Sequence, residues 1–123
     1  MLTDLSAGTV ANYTWITPNL CNDMHDCSVG TGDAWLAKYV PAILGSPAWD
    51  ANSVIFIVVD EGSTSVGGGG HVPLIVVSPR TPPKTHVATG YNHYDLLATI
   101  EAAWGLPALG HAAGAATMTE FFR

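Results

Sequence analysis

Ser53-Val54-Ile55-Phe56-Ile57-Val58-Val59 is an unbroken β-branched and aromatic run, and Asp60-Glu61-Gly62 follows it directly. With no polar residue alternating through it, the run reads as a buried central strand of an α/β sheet, apolar on both faces. Open α/β sheets bind ligands beyond the carboxyl ends of their strands, so Asp60 and Glu61 are the first candidate site residues. Adjacent carboxylates leaving a buried strand repel each other and are costly to desolvate unless a cation or hydrogen-bond donors compensate. A divalent metal ion is the expected compensation. Hard oxygen ligands suit Mg, Ca or Mn, and Zn accepts carboxylates too, so the pair does not select the ion. The plainer alternative is a strand end whose acids point into water.

The flanking sequence sets the rest of the architecture. Pro73 to Ser78 reads as a second apolar strand, reached through the glycine run Gly67–Gly70. A parallel crossover needs about a dozen residues or more, usually as a helix, so an antiparallel or non-adjacent pairing is favoured. From Asp33, the residues Trp35, Leu36, Tyr39, Val40, Ile43 and Leu44 recur at helical spacing. This predicts an amphipathic helix capped by Thr31 or Asp33 and kinked or split at Pro41. A last helix is predicted from Asn92 or His93 through Trp104, closed by Gly105 and Pro107, with Phe121-Phe122 as a final anchor in the tail. Met1 to Thr31 reads as loop with one short strand at Tyr13–Ile16. Residues 1–123 are taken as one domain of α/β class.

Ten acids against four bases give a net charge of −6, and the bases Lys38, Arg80, Lys84 and Arg123 are scattered. Nucleic acid is therefore not an expected partner, because counterion release needs clustered cations. No apolar run approaches the roughly 20 residues that cross a bilayer, so no transmembrane segment is expected. Nor does Met1-Leu2-Thr3-Asp4 open a signal peptide in this chain. Only 11% of residues are charged while 48% are hydrophobic, so a homo-oligomer covering exposed apolar surface is an expected form. The glycine run lacks the lysine of a phosphate-binding loop and reads as a flexible connection. No Gly-x-Ser-x-Gly surrounds Ser28, Ser63, Ser65 or Ser78, which leaves a carboxylester hydrolase as the third-ranked activity.

His25 and His71 stand in a polar and a glycine-rich loop, where an imidazole can bind metal or donate to a phosphate oxygen. His93 at a helix start is a weaker candidate, and Asp26 lies beside His25. Cys21 and Cys27 flank His25 at a spacing that permits a short disulfide loop, with a reduced pair as the open alternative.

Several motifs in order, Thr17-Pro18-Asn19-Leu20-Cys21-Asn22-Asp23-Met24-His25-Asp26-Cys27, Gly32-Asp33-Ala34-Trp35-Leu36, Val59-Asp60-Glu61-Gly62, His71-Val72-Pro73 and Leu96-Leu97-Ala98-Thr99-Ile100-Glu101, cover most of the chain. Together they resemble the phosphoesterase family of bacterial acid phosphatases and phospholipases C. The resemblance implies part of an alkaline-phosphatase-like αβα layer structure, here with a small mixed sheet, and the C-terminal portion of a phosphoesterase domain. It also implies metal-assisted hydrolysis of phosphate monoesters or phospholipid headgroup esters by a Ser or Thr nucleophile, outside the cytoplasm in a secreted or periplasmic setting. By resemblance Asp60 and Glu61 hold the metal, His25 contacts the substrate phosphate, and His71 and His93 belong to the site. The family's Glu-Asn metal ligands and its nucleophile precede the matched region, and none of Thr3, Ser6, Thr9 or Thr14 lies in the nucleophile's context. Two readings follow: a phosphate-ester hydrolase, or a catalytically incomplete phosphoesterase that binds metal or phosphate.

Overall fold

The computed structural model describes residues 1–122. Its elements in chain order are α1 (Leu2–Ala7), α2 (Val29–Leu44), β1 (Ile55–Val58), β2 (Leu74–Val77) and α3 (His93–Ala103), with 3-10 turns at Val66–Gly68, Gly110–Gly114 and Thr119–Phe121. The chain is thus of mixed α/β class. Among the described residues, the sheet is a single antiparallel pair, β1 with β2, in the register Ile55↔Val77, Phe56↔Val76, Ile57↔Ile75 and Val58↔Leu74. The antiparallel pairing agrees with the short connection between the strands, and no parallel pair accompanies it among the described residues.

β1 differs from its expected setting. It is an edge of a two-stranded ribbon, half-buried along its whole length, rather than a buried central strand. Its apolar character is used partly against the tail, where Phe56 meets the Phe122 ring edge-on at 6.4 Å. Two side chains close the open end of the ribbon: the Ser78 hydroxyl donates to the Ser53 carbonyl at 2.8 Å and the Arg80 guanidinium to Asn52 at 2.6 Å.

α2 begins four residues before Asp33, after Ser28 in extended conformation, and no side chain caps it. Neither Thr31 nor Asp33 is the cap. Pro41 lies inside without splitting the helix, and its carbonyl accepts the Gly45 N–H at 2.9 Å in the last turn. Of the predicted face, Trp35, Leu36, Tyr39, Val40 and Ile43 are half-buried while Leu44 is exposed, and the Trp35 and Tyr39 rings lie one turn apart at 4.4 Å. No strand forms at Tyr13–Ile16, whose side chains are exposed. An isolated strand leaves its backbone groups without a ladder, and no partner strand lies alongside among the described residues. α1, by contrast, was not expected: it is a short helix ended by Gly8 in left-handed conformation.

The core lies between α3 and the tail. Leu96, Ala98, Ala112 and Met118 are buried there, Met118 completely, and Leu5 is buried in α1. α3 opens with a reciprocal capping box in which Asn92 accepts from the Tyr94 and Asp95 N–H groups and Asp95 accepts from Asn92. This arrangement is worth about 1 kcal/mol. The buried polar side of α3 then holds the tail by its backbone. Asp95 accepts the Ala116 N–H at 2.9 Å, Thr99 the Met118 N–H at 2.8 Å, and Glu101 the Leu109 N–H at 3.1 Å. The anchoring role expected of Phe121-Phe122 is met by their rings, Phe121 beside Tyr91 and Phe122 on Phe56.

Candidate active site

β1 ends at Val58, and two residues later the chain turns at Asp60, whose carboxylate accepts its neighbour's Glu61 N–H at 2.9 Å. The glycine run is not a slack connection. Gly62 donates to the Gly69 carbonyl at 2.5 Å and Gly70 to the Val66 carbonyl at 2.7 Å, folding the loop back over the strand end. Gly69 and Gly70 have positive φ, and a Cβ on Gly69 would lie 3.2 Å from the Glu61 Cβ. Glycine is therefore required for close approach as well as for backbone conformation. The fold-back brings His71 to the same cavity as Asp60.

α3 adds the third member. His93, the first residue of the helix after the Asn92 cap, places its Nε2 at 2.6 Å from the Asp60 carbonyl oxygen. A carbonyl only accepts, so Nε2 carries the proton in this contact. Asp60, His71 and His93 line one cavity of about 370 Å³. Glu61 and His25 are not among its lining residues.

His25 lies in a ring closed by the Cys21–Cys27 disulfide, so the pair is bonded rather than reduced. Within the ring the Asp26 N–H reaches back to the Leu20 carbonyl at 2.7 Å and Asp23 accepts the His25 N–H at 2.9 Å. Met24 takes a left-handed backbone conformation, and its side chain packs directly on Gly32 of α2. The exposed His25 ring is paired through Nδ1 to Asp26 at 2.8 Å. That hydrogen bond, then the charge of Asp26, raises the His25 pKa above the ordinary imidazole value; Asp23 and Asp60 add smaller contributions of the same sign. His25 therefore stands within the field of the strand-end acid.

Asp60 and Glu61 suit a hard divalent cation by donor chemistry, since no Lys or Arg forms an ion pair with either among the described residues. They make a partial set, because no group of three or more His, Cys, Asp and Glu positioned to hold a metal occurs among those residues. Tyr91, whose hydroxyl donates to Glu120, was not a sequence candidate, nor were Met118 and Phe121, although all three line the cavity. Their only sequence signal was the terminal Phe121-Phe122 pair.

The chain matches the Phosphoesterase family over residues 1–107. It is 33% identical over 109 residues to a phosphatidylinositol-3-phosphatase of Mycobacterium tuberculosis, covering 89% of this chain and 35% of that protein. It is 29% identical to a phosphate-repressible acid phosphatase of Penicillium chrysogenum, over 87% of this chain and 26% of the relative. An acid phosphatase of Aspergillus fumigatus is 30% identical, over 87% and 24% respectively. The chain thus spans about a quarter to a third of the length of these relatives. No solved structure matches it. With the motif order, the strand-end acids and a match over most of its length, the chain belongs to the phosphoesterase family.

Proposed function

We propose that this chain forms part of the active site of a hydrolase acting on phosphate ester bonds, with acid-phosphatase activity as the leading form and phospholipase C-like cleavage of headgroup esters as the variant. The observation that carries the reading is the cavity shared by Asp60, His71 and His93 at the end of β1. Family membership, and relatives named as phosphatases, support the reaction class.

In this reading Asp60 and Glu61 hold a divalent metal ion, whose chemistry is to polarise a phosphoryl oxygen. His93 fixes the backbone at Asp60 and so sets where that carboxylate points. His25 donates from Nε2 to a phosphoryl oxygen, because Nδ1 is already engaged by Asp26. His71 hydrogen-bonds the phosphate within the cavity. Displacement at phosphorus breaks the bond to the alcohol oxygen, forms a bond to the incoming oxygen and spreads negative charge over the remaining oxygens, which these donors stabilise. We assign the nucleophile to no residue of this chain. We place the chain as the C-terminal portion of a single phosphoesterase domain, in a secreted or periplasmic setting that suits its disulfide. Self-association covering its exposed apolar side chains belongs to the same proposal.

The test is turnover of a chromogenic phosphate monoester by the purified chain, with and without chelator, beside an Asp60→Ala, Glu61→Ala double variant. Activity lost in both controls supports the reading. A folded parent without activity supports the catalytically incomplete phosphoesterase, and chelator-resistant turnover of a carboxylic ester supports the third-ranked activity.

A further inference from the structure

Two walls of the cavity at the end of β1 come from separate segments. Asn92 and His93 belong to one, at the start of α3, and Met118 and Phe121 belong to the other, in the tail. From the first wall His93 donates to the Asp60 carbonyl at 2.6 Å. Both walls lead back to one side chain that is not itself among the lining residues, Asp95. Its Oδ2 accepts the Asn92 N–H at 2.7 Å, and its Oδ1 accepts the Ala116 N–H at 2.9 Å.

A capping box uses only one carboxylate oxygen, and an exposed side chain can supply it. Asp95 is instead 6% exposed. Burying a carboxylate is costly unless hydrogen-bond donors compensate, and here the second donor comes from the tail. The first turn of the helix favours the negative charge as well. One planar group therefore holds the residue before His93 and the residue two before Met118, so a shift of either wall strains the bond to the other. One turn further along α3, the Thr99 hydroxyl donates to the Asp95 carbonyl at 2.7 Å and accepts the Met118 N–H at 2.8 Å. Thr99 holds the tail without touching the cap. Resting on the phosphate-ester reading for what the cavity holds, we infer that Asp95 is a positioning residue for that reaction: its two oxygens keep His93, and through it the Asp60 backbone, in register with the Met118 and Phe121 wall.

The experiment follows the His93 ring nitrogens and the Met118 methyl group by NMR in the full chain and in three variants. Ala116→Pro deletes the tail's donor to Asp95 and leaves Asp95 in place. Ala116 is exposed, and Ala115 before it is extended at φ −86° and ψ 159°, as a residue preceding proline must be. Thr99→Val deletes the neighbouring tail bond, and Asp95→Ala removes both carboxylate contacts. All three are expected to move the Met118 signal, but only Ala116→Pro and Asp95→Ala to move the His93 nitrogens, since only these act through the carboxylate. If Asp95→Ala does not fold, Ala116→Pro against Thr99→Val decides. Unmoved His93 nitrogens in Ala116→Pro, or an equal movement in Thr99→Val, overturn the inference. In parallel, kcat/KM for 4-nitrophenyl phosphate is measured with Mg²⁺, Ca²⁺, Mn²⁺ or Zn²⁺ supplied. Asp95→Ala is expected to lower it about tenfold to a hundredfold, the usual loss when a group that orients a site ligand is removed, and an unchanged value overturns the inference. If no ester turns over in the parent, the phosphate-ester reading fails by itself, and the NMR contrast decides whether Asp95 registers the two walls.

Discussion

Asp26 governs what its neighbour His25 can do. By holding Nδ1 at 2.8 Å it leaves Nε2 as the outward-facing donor, and it favours the charged ring. The direction of the pKa shift fixes a pH dependence. A histidine whose folded pKa lies above its unfolded value stabilises the fold fully below the ordinary value near 6.5, and loses that contribution as pH rises through the raised value. Asp26→Asn is therefore expected to lower the His25 midpoint toward the ordinary value, measured from its ring proton shifts across pH, and to pull the alkaline limb of any phosphatase profile downward. An unmoved midpoint would remove Asp26 from this role. The residue types of this pair were legible from the motif around Cys21–Cys27, but their arrangement was not. It depends on Met24 in a left-handed conformation, which neither hydrophobic period nor spacing announces.

Two elements hold the candidate residues in place, and each rests on a contact that a single methyl group can probe. At the start of α2 a Cβ on Gly32 would lie 2.4 Å from Met24 Cγ and 3.2 Å from the Asn22 carbonyl. Replacing a helical glycine by alanine ordinarily gains about 0.5–1 kcal/mol, whereas overpacking a close contact costs about 1–3 kcal/mol. Gly32→Ala is expected to lower stability by about 1 kcal/mol in urea unfolding, and the same change in a Met24→Ala background to become neutral or favourable. In α3, Thr99→Val removes the acceptor for the Met118 N–H while keeping the shape, leaving a buried donor unpaired at about 1–3 kcal/mol. A loss below 0.5 kcal/mol would mean that water replaces the hydroxyl. β1, β2 and α3 were legible because apolar runs and caps mark them directly. The true start of α2 was obscured because Ser28 makes no side-chain capping bond, and α1 was missed because six residues are too few to display a helical period.

Across the whole molecule, burial is uneven in a way that orders its stability. The buried apolar side chains are Leu5, Leu96, Ala98, Ala112 and Met118, so the dense packing belongs to α3 and the tail. The ribbon is covered only in part: Phe56 meets Phe122, but Ile75 is 52% exposed, and a two-stranded pair is marginal in water without cover. Class and family were readable from the strand-end acids and the order of motifs. The small extent of the sheet was not, since an apolar run looks the same whether its second face is covered by this chain or left open. Local opening free energies follow packing density, with the global value reached only in the best-packed unit. Amide hydrogen exchange is therefore expected to be slowest in α3 at Thr99–Ala103 and at Met118, and faster in β1 and β2 despite their continuous ladder. Met118→Ala, which empties a fully buried site, is expected to cost about 2–5 kcal/mol and to speed exchange throughout α3 first. If β1 and β2 proved the most protected segments, this ordering would be overturned. Concentration-dependent protection would then identify a second copy of the chain as their cover, whereas independence from concentration would place the stability within the ribbon itself.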